Sequence, residues 1–166
     1  MPRPRCEVLW LDRRVASRMR DDAARRDPYE TGGVLLGYLA EDAAVVADMV
    51  GPGPDALHGP NGFVPDAEYQ EVEIARRYEA SGRVVTYMGD WHSHPRGLGR
   101  VSRLDLRTLH AIAREPAARV PAPIMLIVFD GDPWRLAAWI WAPIRIPYLA
   151  TFPRATEIRL ELFEGG

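Results

Sequence analysis

Two histidines one residue apart, then a serine after seven residues and an aspartate after two more (His92, His94, Ser102, Asp105), constrain this chain more than any other feature. Residues i and i+2 face the same side of an extended segment, so His92 and His94 can approach one ion together only if they lie on a strand. The run from Arg96 to Val101 carries Gly97 and Gly99, whose backbone freedom lets the chain turn back. Asp105 then falls in the first turn of the next helix, where the helix dipole favours a carboxylate. The spacing therefore calls for a strand, a tight loop and a helix whose N-terminus faces the strand. Two imidazoles, one carboxylate and an open position for water describe a catalytic zinc site.

Each part of this pattern has a plainer reading. Ser102-Arg103-Leu104-Asp105 is nearly a capping box, with serine at the N-cap and an acid three residues on. An isolated His-x-His is more often a turn or surface feature than a metal site. The combination changes the odds: at this chain's own residue frequencies the spaced quartet arises by chance about once in 10⁴ chains. Ser102 can cap the helix and serve catalysis as well.

The rest of the sequence supplies a frame for that unit. Glu7 to Leu11 reads as a strand by apolar density, and Asp12 as the cap of a helix over Arg13 to Arg26, with Val15, Met19 and Ala23 on one face. Pro28 ends it. Two apolar runs of strand length follow, Val34 to Leu39 and Ala43 to Val50. Gly51 to Gly62, dense in Gly and Pro, reads as loop. A helix over Asp66 to Ala80 has Tyr69, Val72, Ile74 and Tyr78 as its apolar residues. The strand Arg83 to Trp91 delivers the chain to His92, and the capped helix runs from Ser102 to Arg114. Pro121 to Phe129 and Trp134 to Trp141 read as strands joined by a hairpin at Asp130-Gly131-Asp132-Pro133. Ile144 to Phe163 holds one or two more. Helices and strands alternate early and strands dominate late, which predicts a single α+β domain over residues 1–166, with a mixed sheet flanked by helices.

Composition narrows the function. A net charge of −2 leaves no electrostatic footprint for nucleic acid. Arg13-Arg14, Arg25-Arg26 and Arg76-Arg77 are interleaved with acids and read as solvated helix faces. The one cysteine, Cys6, permits neither an internal disulfide framework nor a Cys-rich zinc site. The apolar patch after Met1 to Arg5 is too short for a secretory signal, and no apolar run approaches the roughly 20 residues that span a bilayer. A cytoplasmic protein without membrane partners is expected. All 21 basic residues are arginine. Codon bias in a chain rich in Ala, Gly and Pro accounts for that; work among lysine-directed conjugation enzymes is the alternative.

The same spacing, together with Glu30 in ETGGVLLG, closely resembles the JAMM or MPN-plus (JAB domain) family of zinc peptidases, in its prokaryotic branch. Two segments carry the resemblance: Glu30 to Gly37, with the pattern Glu-x-x-Gly-x-x-x-Gly, and Gly89 to Asp105 (GDWHSHPRGLGRVSRLD). It implies a cytidine-deaminase-like fold, a curved sheet between helices. It further implies that His92, His94 and Asp105 bind one zinc per chain, that Glu30 holds the catalytic water and that Ser102 stabilises the oxyanion. The expected substrate is a ubiquitin-like protein or its conjugate, cut after a C-terminal diglycine in deconjugation or precursor processing, with activating and conjugating enzymes of the same pathway as further partners. Release of an amino acid from a sulfur-carrier protein and a non-catalytic MPN scaffold are the alternatives. Glu115 to Ala122 is too short for the insertion with which eukaryotic members grip a proximal ubiquitin, whereas Gly51 to Pro65 stands where a flap over the substrate tail would lie. Trp91 reads as core rather than groove wall, His58 and His110 as solvent-facing, and Glu164-Gly165-Gly166 as a frayed end.

Overall fold

A computed structural model describes residues 6–166. Met1 to Arg5, on which the argument against a secretory signal partly rests, lie outside the described residues. The chain opens with strand β1 (Val8–Asp12), which runs into α1 (Arg13–Arg26) where the Asp12 carboxylate accepts from the Arg14 amide at 2.7 Å. Strands β2 (Gly32–Leu39) and β3 (Ala43–Val50) follow as an antiparallel pair. The segment expected to be loop contains a small hairpin, β4 (Leu57–Gly59) and β5 (Gly62–Val64). Its Gly and Pro content conceals a two-residue turn: Pro60-Asn61 joins two short strands paired from Leu57–Val64 to Gly59–Gly62.

Helix α2 (Ala67–Ala80) is capped by Asp66, and strand β6 (Thr86–His94) extends past the expected Trp91 to include both histidines. Helix α3 (Arg103–Arg114) starts at Ser102. Strands β7 (Ile124–Phe129) and β8 (Arg135–Trp141) form the expected hairpin. The last segment gives two short strands, β9 (Ile144–Ile146) and β10 (Ala150–Phe152), and a long one, β11 (Ala155–Phe163).

The sheet does more than curve. It closes, in the order β1-β11-β8-β7-β6-β2-β3, because β1 pairs in parallel with both β11 and β3. Inside, Val15, Met19 and Ala23 of α1 share one apolar cluster with Leu9, Leu35, Val46, Trp91 and Leu126. Outside, Leu109 of α3 packs with Met125, Ile127 and Trp141, and Ile74 of α2 with Val34, Leu36 and Val50. β2 and β7 are thus buried on both faces, which is why they read as continuous apolar runs rather than alternating ones. Trp91 is wholly buried in the inner cluster, as expected of a core residue.

Several expectations about charge, polarity and the chain end need correction. Arg77 is half-buried rather than solvated, because it pairs with Glu73 on its own helix and with Asp48 on β3. Asp48 also takes Arg18 of α1 at 3.0 Å, so one carboxylate ties two helices to the strand. On α2 the buried side chain is Gln70, while Val72 is 62% exposed. Its amide can be inward because it donates to the Gly51 carbonyl at 3.0 Å. His110 is half-buried with its ring edge against Trp141, 5.4 Å between centroids. The terminal glycine carbonyl accepts from Arg14 at 3.0 Å and Glu164 pairs with Arg13 at 2.9 Å, so the end is docked on α1.

Candidate metal centre

The outward face of β6 presents His92 and His94, as the i, i+2 spacing requires. Register with β7 fixes the pair beside Ile127 and Phe129, and register with β2 sets Gly32 opposite His92. The loop after His94 then returns the chain to α3. Its left-handed residue is Arg96 (φ 59°), not a glycine. Gly97 and Gly99 are needed for room instead: a side chain at Gly97 would meet the His94 Cβ, and one at Gly99 the Phe129 ring. Ser102 Oγ accepts from the Asp105 amide at 3.1 Å while the Ser102 amide donates to Asp105 Oδ2 at 2.6 Å. The capping box is complete, and it aims the Asp105 carboxylate at the histidines.

Three donor atoms converge as a result. His92 Nε2 lies 2.8 Å from His94 Nε2 and 3.1 Å from Asp105 Oδ1, and His94 Nε2 lies 3.6 Å from Asp105 Oδ2. Ligands about 2.0–2.1 Å from a tetrahedral ion stand about 3.4 Å from one another, and these three residues each offer a ligand atom within 4.8 Å of the others, a spacing that can close on one ion. Its chemistry fits as well. His94 Nδ1 donates to the Leu98 carbonyl at 2.9 Å, which leaves the Nε2 lone pair facing the cluster. Burial, reinforced by the neighbouring His92, pushes the His94 pKa down and keeps the ring neutral and ligand-competent. Burial alone would raise Asp105, but its bonds to His92 and Ser102 hold it at about 2, so the carboxylate is ionised.

Glu30 stands just ahead of β2 and lines the same cavity as His92 and Asp105, a space of about 240 Å³. Its carboxyl is half-buried and pushed up from the ordinary glutamate value, first by burial, with His92 opposing and Asp105 adding to the rise. Thr31 anchors this segment to the histidine strand: its amide donates to Ser93 Oγ at 3.0 Å, and the Ser93 amide donates to its carbonyl at 2.8 Å. Ser93, between the two histidines, is therefore a structural clasp, fully buried. Ser102 is exposed at the helix start, and its Oγ serves the Asp105 amide as acceptor.

The cavity also contains residues that spacing could not single out. Asp90 shares the outward face with His92, accepts from the Tyr87 hydroxyl at 2.7 Å and is pushed up by burial. Phe63 of β5 and Gln70 of α2 complete a wall that comes from the hairpin and helix packed alongside. His58 is not solvent-facing. It is half-buried on β4 with Nδ1 at 2.9 Å from the Glu30 carbonyl. The sequence carried no signal for that contact, because it joins a strand to a loop 28 residues away.

Two imidazoles and a carboxylate that can meet on one ion suit metal-assisted amide hydrolysis, and fold and site together assign the chain to the metallopeptidase class of hydrolases. More narrowly, the chain belongs to the Prok-JAB family: the model for prokaryotic homologs of the JAB domain matches residues 12–141. Among its relatives, "Probable metalloprotease y4qB" of Sinorhizobium fredii is 40% identical over 137 residues, 81% of this chain and 84% of that protein. A "CD-NTase/cGAS isopeptidase" of Escherichia coli is 27% identical over 121 residues, 70% of this chain and 74% of that one. The solution structure of protein DSY2949 from Desulfitobacterium hafniense superposes with a TM-score of 0.69 at 19% identity, covering 95% and 94% of the two chains, a likeness of fold. Among the described residues, no helix is long and apolar enough to cross a membrane.

Proposed function

We propose that this protein is a zinc-dependent isopeptidase or peptidase that cleaves after the C-terminal diglycine of a ubiquitin-like protein, either freeing a conjugate or maturing a precursor. The observation that carries the reading is the convergence of His92, His94 and Asp105 on one point, beside a cavity that Glu30, His92 and Asp105 line. In this reading the three residues hold one zinc per chain. When bound, zinc makes a water nucleophilic near neutral pH and polarises the scissile carbonyl. Glu30 accepts the water's proton and returns it to the leaving amine, a role its half-buried, raised carboxyl suits. The Ser102 hydroxyl donates to the developing oxyanion.

The substrate part of the proposal has two supports. The E. coli relative bears the name of an isopeptidase. The β4–β5 hairpin and Phe63 flank the cavity closely, as a flap over an extended tail would, and a diglycine passes such a slot without side-chain cost. Residues 1–166 then act as one JAB/MPN domain of cytidine-deaminase-like type, in the cytoplasm, beside the activating and conjugating enzymes of its pathway. A scaffold has no chemical need of the four intact site residues, so catalysis is the better account of them.

Elemental analysis and turnover test this together. The wild-type protein should carry one zinc and cleave the ubiquitin-like protein of its own genome from a lysine conjugate or a C-terminal fusion. His92→Ala/His94→Ala should lose both metal and activity. Glu30→Gln should keep the zinc while turnover falls at least about 10²-fold. Full zinc in the double variant would sink the ligand assignment, and near-normal turnover of Glu30→Gln would remove Glu30 as the base.

A further inference from the structure

The main chain of Glu30, just ahead of β2, is held by the β4–β5 hairpin. The Glu30 amide donates to the Gly59 carbonyl at 2.8 Å, and the Glu30 carbonyl lies 2.9 Å from His58 Nδ1. Two neighbouring hairpin residues thus take up both backbone polar groups of residue 30, while residue 31 is clasped by Ser93 of the histidine strand. Because a carbonyl only accepts, His58 must carry its proton on Nδ1. Its other nitrogen, Nε2, is buried and has no partner among the described residues. The ring lies nearly parallel to Phe63, 14° between planes and 6.2 Å between centroids. Phe63 in turn sits against Gly32, where any side chain would meet its ring, and lines the cavity.

A half-buried imidazole whose buried nitrogen has no partner is a poor choice for stability alone. Phenylalanine would keep the stack on Phe63 and leave nothing unpaired. The feature that histidine adds is the bond to Glu30. From this geometry we propose that His58 is a positioning residue for the general base: it fixes the Glu30 backbone to the hairpin, so that the carboxyl is aligned with the metal ligands only while the hairpin is docked. The inference rests on the reading of Glu30 as the base. It makes the flap and the base one mechanical unit.

His58→Phe and His58→Asn separate this role from a structural one, since the Asn side-chain amide occupies the place of Nδ1–H and can donate to the same carbonyl. In zinc-loaded His58→Phe the thermal midpoint should hold or rise and zinc content should stay at wild type. Amide exchange at Glu30 should speed up at least about tenfold while Thr31, held by Ser93, is unchanged. With the ubiquitin-like fusion as substrate, kcat should fall about tenfold with KM within about twofold, and His58→Asn should recover to within about threefold of wild type. His58→Phe/Glu30→Gln should be no slower than Glu30→Gln alone, because one residue acts through the other. Unchanged exchange at Glu30 in His58→Phe would overturn the proposal, as would normal kcat in that variant when Glu30→Gln is inactive. Near-wild-type turnover of Glu30→Gln would overturn the base assignment itself, and the role of His58 with it. The exchange result reads the backbone contact in either case.

Discussion

Ser102 closes the start of α3 in two ways. Its Oγ accepts from the Asp105 amide, and its own amide donates to the Asp105 carboxylate. Ser102→Ala should therefore cost about 1 kcal/mol through the lost cap. That corresponds to roughly 2–4 °C in thermal midpoint for a domain of this size. Turnover should fall further than the cap explains, by at least about tenfold, if the hydroxyl also serves the oxyanion. Calorimetry and steady-state kinetics on the same preparation separate the two effects; a drop in midpoint with unchanged kcat would leave Ser102 as a cap alone. Ser93, by contrast, is buried and bonded to Thr31 through both its amide and its hydroxyl. Its work is to keep the Glu30-Thr31 segment beside the strand that carries His92 and His94.

Elements converge on the site through close backbone contacts. β2 lies between β3 and β6, and a side chain at Gly33 would run into the Val50 carbonyl and the Trp91 indole nitrogen. The Glu-x-x-Gly pattern is thus a packing requirement as well as a signature. It brings β2 close enough to β6 for Thr31 and Ser93 to meet. Gly33→Ala should cost at least about 2 kcal/mol, since the neighbours are main-chain and indole atoms that cannot swing aside. A urea midpoint measures it, and a midpoint within error of wild type would mean that β2 can shift freely. At the other end of the site, α3 presents Asp105 because its cap fixes where the helix begins. The loop before it works by fit as much as by flexibility, with Gly97 and Gly99 seated against His94 and Phe129.

For the molecule as a whole, closure of the sheet depends on its two ends. The family-matched region stops at residue 141, yet β11 supplies the strand between β1 and β8. Without it, Ala138 on the inner face would lose Ile158 and β1 would keep only β3. Truncation after Trp141 should give a chain with no cooperative thermal transition, although each proposed site residue remains. Far-UV circular dichroism during heating, together with size-exclusion chromatography, would detect this. A truncated chain that melts as sharply as the full one would show that β11 is dispensable. An unpaired β8 edge should also promote aggregation.

The sequence by itself determined the local units of this protein: the capped helices, the doubly buried runs of β2 and β7, and a strand, loop and helix carrying His92, His94 and Asp105. These are legible because capping, periodicity and ligand spacing act over a few residues and leave their record in order along the chain. Tertiary structure alone decided the rest. Closure through β1, the burial of Arg77 against Asp48, the inward turn of Gln70 and the docking of His58 on Glu30 all join residues from separate elements. A polar side chain reads as solvated until its partner is known, because burying it is favourable only when a bond awaits it inside. That is why His58 and Arg77 looked exposed in sequence, and why the wall of the cavity became visible only when hairpin, helix and sheet were assembled.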